Sequence, residues 1–232
     1  MSTARTGHET AATLSEQGVA TPCSMGTDMA FYHITWVTHN SRLSRRMIEY
    51  HITPGEPVLL DELAEEYITK IIAEIVLSGA TKKEATAPCY CIYAYNICRD
   101  HVHMIIGCQR ENIFDIIRLL KGKSAQRYKE YLGIDARREF HLWAQKYNKW
   151  LIKSEEQFRN TISYVIWNRH KHGLTQNKGL QPLVLSMIQS CGNAEYVAEY
   201  EHELNRIYEC SKSMRDEEYG LTEDEIRIVE GE

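Results

Sequence analysis

The sequence predicts an α+β fold, and three observations carry that prediction. Short alternating apolar runs are interleaved with long helical ones in the order strand, helix, strand, strand, helix, strand. The turn between the two middle strands is too short for anything but an antiparallel pair. A helix-start signal then follows the last strand, so a further helix is appended.

The elements follow in chain order. Met29 to Thr38 (MAFYHITWVT) alternates and is rich in β-branched and aromatic residues, the pattern of a strand. His39 to Arg46 is a polar, basic loop. From Leu59 to Leu77, Leu63, Tyr67, Ile71, Ile72 and Ile75 recur at helical spacing, and Gly79 can end that helix. Pro88 to Asn96 and His101 to Cys108 are two strands, joined by a turn at Ile97 to Asp100. Asn112 to Tyr131 is a helix with Ile113, Ile116, Ile117 and Leu120 on one face; Gly122 weakens its middle and Gly133 ends it. A short strand fits Lys149 to Ile152. Ser154-Glu155-Glu156-Gln157 is a capping box, so a helix starts there, runs to about Asn168 and is stopped by Gly173. Ala194 to Met214 is an amphipathic C-terminal helix, and no internal repeat is visible. This order fits a ferredoxin-like sandwich, a central antiparallel sheet with both helices on one face, plus an appended helix and a C-terminal helix. The other face of the sheet is then free to hold a site.

Composition narrows the class. The first 28 residues are rich in Ser, Thr, Ala and Gly and lack the apolar stretch of a signal peptide, so 1–28 reads as a disordered arm. No apolar run reaches the length of a membrane span. Seven cysteines, an odd number in a chain of this size, point to reduced thiols in a cytoplasmic protein. Cys89 and Cys91 hint at metal only weakly, and buried strand thiols are the commoner meaning of such a pair. The net charge of -5 is set by the tail: from Arg215 to Glu232 there are eight acidic residues against two arginines, which leaves the remainder near neutral at +1. Basic residues cluster at Arg42, Arg45 and Arg46; at Arg118, Lys121, Lys123 and Arg127; at Lys146, Lys149 and Lys153; and at Arg169 and Lys171. Any one cluster alone reads as a solvated face, whereas convergence on a site would make a track for a DNA backbone.

His101-Val102-His103 is the sharpest chemical feature. On a strand, residues i and i+2 share a face, so both imidazoles project together, a geometry suited to two ligands of one divalent cation. A bare His-x-His is also what two ordinary strand histidines look like. Pairing about the turn sets Asn96 near Val102, Ile97 opposite His101 and Tyr95 opposite His103. Cys91 then lies opposite Gly107, four residues beyond His103 and so roughly 13 Å away at ~3.4 Å per residue, which argues against a Cys2His2 zinc site. On the capped helix, Tyr164 and Asn168 are four apart on one face with Gln157, Thr161 and Lys171, while Phe158, Ile162, Val165 and Ile166 form the opposite, buried stripe. Tyr164 is thereby expected to point away from the packed face. With 14 tyrosines in the chain, spacing alone does not mark it as a nucleophile.

Taken together these segments resemble the HUH (His-hydrophobic-His) single-strand DNA tyrosine transposases, and within them the REP-associated tyrosine transposases and small insertion-sequence transposases. The resemblance lies in Asp100-His101-Val102-His103-Met104-Ile105-Ile106, in Ser154-Glu155-Glu156 through Tyr164-Val165-Ile166-Trp167-Asn168, and in Lys171-His172-Gly173-Leu174. Tyr32-His33-Ile34-Thr35-Trp36 and His141-Leu142-Trp143 through Tyr147 also fit, so the match spans about 29–174 as a catalytic domain. Residues 175–214 are then a helical extension and 215–232 an acidic tail.

The resemblance implies a metal-dependent enzyme that cuts and rejoins single-stranded DNA through a 5′-phosphotyrosine. Tyr164 matches the nucleophile, His101 and His103 the metal-binding histidines, and Asn168 the place where relatives carry Gln or Asn as a third ligand to Mg²⁺ or Mn²⁺. The DNA partner would carry an imperfect hairpin. Arg42, Arg45, Arg46, Lys121, Lys123 and Arg127 are the candidates to hold its backbone, and Trp36, Trp143 and Trp167 can stack on bases or simply fill the core. In the smallest relatives the tyrosine helix reaches the other subunit's histidines. Here the stripe Val197, Tyr200, Leu204, Ile207 and Tyr208 favours a monomer with a complete site, a homodimer seam being the alternative. Two other classes stay open: a non-catalytic DNA-binding regulator derived from a transposase, and a metal-dependent phosphodiesterase that uses water.

Overall fold

The computed structural model describes residues 29–43, 45–81, 90–192 and 194–213. The N-terminal arm, Cys89 and the acidic tail lie outside them, as do the side chains of Arg45 and Arg46. The elements are β1 (Met29–Val37), α1 (Arg45–Glu49), α2 (Glu62–Thr81), β2 (Tyr90–Cys98), β3 (His101–Gln109), α3 (Ile113–Tyr131), β4 (Asn148–Ile152), α4 (Glu155–Lys171), α5 (Leu180–Gln189) and α6 (Ala194–Ser213). The strands form one antiparallel sheet in the order β2-β3-β1-β4, the ferredoxin-like arrangement. No helix among the described residues is long and apolar enough to cross a membrane.

Alternation along the strands sorts side chains to two faces. On the first, Trp36, Val102, Met104 and Ile106 are buried beneath α2 and α3. The Tyr95 hydroxyl meets Thr69 of α2 at 3.2 Å, and Trp143, edge-on to Trp36, donates to Ser124 of α3 at 2.9 Å. The core row of α2 is Ala64, Ile68, Ile71, Ile72 and Val76, a rotation from the expected stripe that leaves Leu63 71% exposed. Ala64 adds little to an apolar periodicity, which is why the stripe was misplaced.

The second face is not open, contrary to expectation. α4 lies across β2 and β3, α5 packs on β2 and α2, and α6 packs on α4 and α5. Helix α5 lies within the expected helical extension 175–214, where only α6 was given bounds; its Pro182 sits in the first turn, where a missing N–H costs no intrahelical bond. The start of α4 is as expected: Ser154 Oγ accepts from Gln157 N at 3.1 Å. Gly173, at φ +65°, follows its end.

The hairpin register differs near the turn. Only Arg99 and Asp100 turn the chain, so Cys98 faces His101, Ile97 faces Val102 and Asn96 faces His103. A bulge at Tyr93 then absorbs one residue, and Cys91 lies opposite Gly107 as anticipated. A Cβ on Gly107 would stand 2.7 Å from the Tyr93 ring, so glycine leaves room for that ring over the sheet. The described cysteines, Cys91, Cys98, Cys108, Cys191 and Cys210, are buried.

Candidate active site

Between the second face of the sheet and α4 the polar residues gather. His101 and His103 project together from β3, 5% and 8% exposed, with ring centroids 5.1 Å apart and planes nearly perpendicular. From α4, Asn168 brings Oδ1 to 2.8 Å from His101 Nε2, and the Tyr164 ring stands edge-on to His103 at 5.4 Å. Tyr164 is therefore buried against the sheet rather than turned away from it. The flank expected to face solvent lies on the sheet instead, and α6 packs on another side of the helix, where Trp167 donates to Glu203.

Two anchors set the position of α4. Asn96 Nδ2 donates to the carbonyls of Val165 and Ile166 at 2.8 and 3.2 Å, tying the middle of the helix to β2. Arg169 is buried and donates to Glu65 at 2.6 Å, to Ile97 O at 2.9 Å and twice to Thr175 O. Glu65 in turn accepts from Arg99 N at 2.7 Å. Such a pair is tolerable inside a protein only when its remaining donors and acceptors are met in this way. Arg169, placed by sequence in a basic cluster, is thus structural.

The histidines have outer partners that the sequence did not reveal. His101 Nδ1 donates to Asp100 Oδ1 at 2.6 Å, and Arg42 stands on the other oxygen of Asp100 at 3.2 Å. Burial opposes ionisation of Asp100, but the hydrogen bond from His101 and the nearby Arg42 overcome it and hold the carboxyl below its usual range. His103 Nδ1 lies 3.0 Å from Nε2 of His33 on β1. Burial first, then the neighbouring His33 and His101, pushes His103 well below the ordinary imidazole value. His172, just past α4, packs edge-on to His101 at 4.9 Å, and its pKa is lowered by burial and by His101. A cleft of about 310 Å³ lined by Arg42, Arg99, Asp100, His101 and His172 opens beside it.

Does this donor set suit a metal? Among the described residues no three His, Cys, Asp or Glu side chains form a metal-holding group. The set here is two imidazoles and one amide. With Nδ1–H of His101 spent on Asp100, a neutral ring turns a lone pair toward Asn168 Oδ1, which also accepts from Cys98 Sγ at 3.2 Å. Two acceptors facing each other at 2.8 Å call for a cation, a second ring proton or a turned amide between them. Asn168 Nδ2 is buried and meets no hydrogen-bond partner among the described residues. Nitrogen and oxygen ligands of this kind fit a divalent ion, and Asp100 supplies the outer carboxylate that metal-bound histidines usually have.

The expected DNA-binding side chains divide. Arg42 reaches the site through Asp100, and Lys171 holds its ammonium 5.0 Å from the centroid of the Tyr164 ring. Lys121, Lys123 and Arg127 lie on α3, across the sheet from the histidines. Lys121 donates to the carbonyls of Ala144, Gln145 and Lys146, and burial lowers its pKa to about 8. Arg127 pairs with Glu74. Trp36, Trp143 and Trp167 are all buried, so each fills the core rather than offering a stacking surface; Trp167 donates to Glu203 at 2.6 Å. His33, Asp100, Asn96 and Cys98 are the residues sequence reasoning passed over. Their partners are set by strand pairing and by α4, so only the Asp100-His101 adjacency carried any local signal.

Comparison with known proteins adds a family. The family model described as "Transposase IS200 like" matches residues 28–168. A search of curated proteins gives no match. Among solved structures, the chain is similar to a REP-associated tyrosine transposase bound to a REP hairpin, with 14% identity over 63% of this chain and 70% of that one and a TM-score of 0.40. It is also similar to a candidate transposase from Deinococcus radiodurans R1, with 18% identity over 70% of this chain and 100% of that one and a TM-score of 0.37.

Proposed function

The chain belongs to the IS200-like transposase family, a family that processes DNA, and from that premise we propose that it cleaves single-stranded DNA and transfers the strand through a tyrosine. The observation that carries this reading is the meeting, within one chain, of Tyr164 with His103 and of Asn168 with His101. His101 and His103, through their imidazole nitrogens, and Asn168, through Oδ1, would hold Mg²⁺ or Mn²⁺. Bound there, such an ion would offset charge on the scissile phosphate and favour loss of the phenol proton. Tyr164 Oη attacks phosphorus as its proton leaves to solvent. The bond to the 3′ oxygen breaks, that oxygen takes up a proton, and a 5′-phosphotyrosine remains. Because the phosphodiester energy is kept, another 3′-OH can reverse the step and join a new strand without ATP. Asp100 fixes the His101 ring, and Arg42 and Lys171 supply charge for the backbone of a hairpin-bearing DNA.

A labelled hairpin oligonucleotide with Mg²⁺ or Mn²⁺ tests this. The protein should form an adduct that survives denaturant, and Tyr164→Phe, which keeps the packed ring, should form none. Persistence of the adduct in that variant would move the role away from Tyr164. Cleavage with no adduct on any DNA would favour a water-using phosphodiesterase.

A further inference from the structure

His33 is buried at 1% exposure in the middle of β1 and faces the same side of the sheet as His103. The two rings are nearly coplanar, at 17°, with centroids 5.2 Å apart and a 3.0 Å separation between His33 Nε2 and His103 Nδ1. Those values describe an end-to-end bond lying in both ring planes, where the nitrogen lone pair and the N–H lie. Exactly one of the two nitrogens must then carry the proton. Trp150 of β4 stacks on His33 at 5.4 Å, and Tyr164 stands edge-on to it at 5.8 Å, so the His33 ring is held from several sides.

We propose that His33 is the positioning residue for His103: it accepts the Nδ1 proton of His103 and thereby leaves His103 Nε2 unprotonated toward the site. The inference rests on the reading of His103 as a metal ligand. His33 then carries its own proton on Nδ1. The opposite arrangement, with His33 donating, would put the His103 proton on Nε2 and block the atom that must bind. His101 and His103 are thus oriented alike but by different acceptors, a carboxylate on Asp100 for one and an imidazole on His33 for the other. A ligand's outer partner of this kind fixes its tautomer and ring orientation.

The test uses the full chain with ¹⁵N-labelled histidine and no metal, with the two rings assigned by comparison with His103→Gln and His33→Gln. Long-range ¹H–¹⁵N spectra of the unaltered protein should show both His103 and His33 protonated on Nδ1. His33→Gln, whose Oε1 can still accept, should keep His103 in that form; His33→Leu should move the proton to Nε2. In the same samples, Mn²⁺ binding read by electron paramagnetic resonance should weaken about 10- to 100-fold in His33→Leu and be largely rescued in His33→Gln. A His103 proton on Nε2 in the unaltered protein overturns the proposal, as does equal Mn²⁺ affinity in the Leu variant. Should His33→Leu not fold, the spectra of the unaltered protein and of His33→Gln decide the matter. If the unaltered protein binds no Mn²⁺ yet shows His103 protonated on Nδ1, the tautomer assignment holds and the metal reading falls.

Discussion

The same strands build two different interiors. Beneath α2 and α3, Trp36, Val102, Met104 and Ile106 are buried in one apolar cluster with Ile68, Ile72, Ile116 and Ile117, crossed by the Tyr95–Thr69 and Trp143–Ser124 hydrogen bonds. One residue along each strand, beneath α4, stand His33, Asn96, Cys98, His101 and His103, and each of them makes a hydrogen bond with a named partner. The first face is held by volume and the second by orientation. A change on the first should therefore cost stability, and a change on the second should cost chemistry.

The largest effects are expected on the polar face. His101→Ala and His103→Ala should each abolish cleavage of the hairpin oligonucleotide while leaving its binding, followed by gel shift, largely intact. On the proposed reading, the charges that would hold the DNA backbone are other groups, Arg42 and Lys171. Equal loss of binding and cleavage would mean that the histidines hold the fold together, and the contrast between the two faces would collapse.

On the apolar face, Ile117→Ala removes a side chain that is 1% exposed and should cost about 2–5 kcal/mol in urea unfolding. At temperatures where the variant stays folded, its rate of adduct formation should match that of the unaltered protein. A slowed reaction in folded protein would show that packing under α3 reaches the site through the sheet.

These two faces were not equally legible in the sequence. Alternation alone exposed His101 and His103, because both sit on one strand two residues apart, and the capping box located the start of the tyrosine helix. The partner of His103 lies 70 residues earlier in the chain, and only the β1–β3 pairing joins them. Asn96 was assigned to the wrong neighbour because the two-residue turn and the bulge at Tyr93 shift the register by one and then restore it. The burial of Tyr164 was missed because amphipathic reasoning assumes one packed side, and α6 gives α4 a second. Lys121 looked like a free charge in the sequence, whereas three carbonyls occupy it.

A smaller loss is expected at Asn168. A water can take the place of a neutral amide oxygen on a hard divalent ion, so Asn168→Ala should slow adduct formation without abolishing it, and should weaken Mn²⁺ binding less than either histidine change. Loss as complete as in His101→Ala would make the amide indispensable, and its contact with His101 at 2.8 Å the central feature of the site.

The smallest effect, none at all, is expected from mixing Tyr164→Phe with His101→Ala. Tyr164 already stands 5.4 Å from His103 of its own chain. Carrying α4 to another copy would break the Asn96 bonds to its backbone and the buried Arg169–Glu65 pair, each group of which is nearly inaccessible to water. Losing one partner of such a pair costs about 3–5 kcal/mol, so separation is opposed more strongly than by an exposed contact. Helix α6 packs on α4 within the chain, where Tyr200, Leu204 and Ile207 are buried and Glu203 accepts from Trp167. The C-terminal stripe is thus spent within the chain rather than left for a partner's helix. Each variant lacks one half of the chemistry, and if every chain uses its own tyrosine, the mixture stays inactive at all ratios. Recovery of cleavage, rising with protein concentration, would show one chain supplying the tyrosine and another the histidines, and the self-contained site would have to be abandoned.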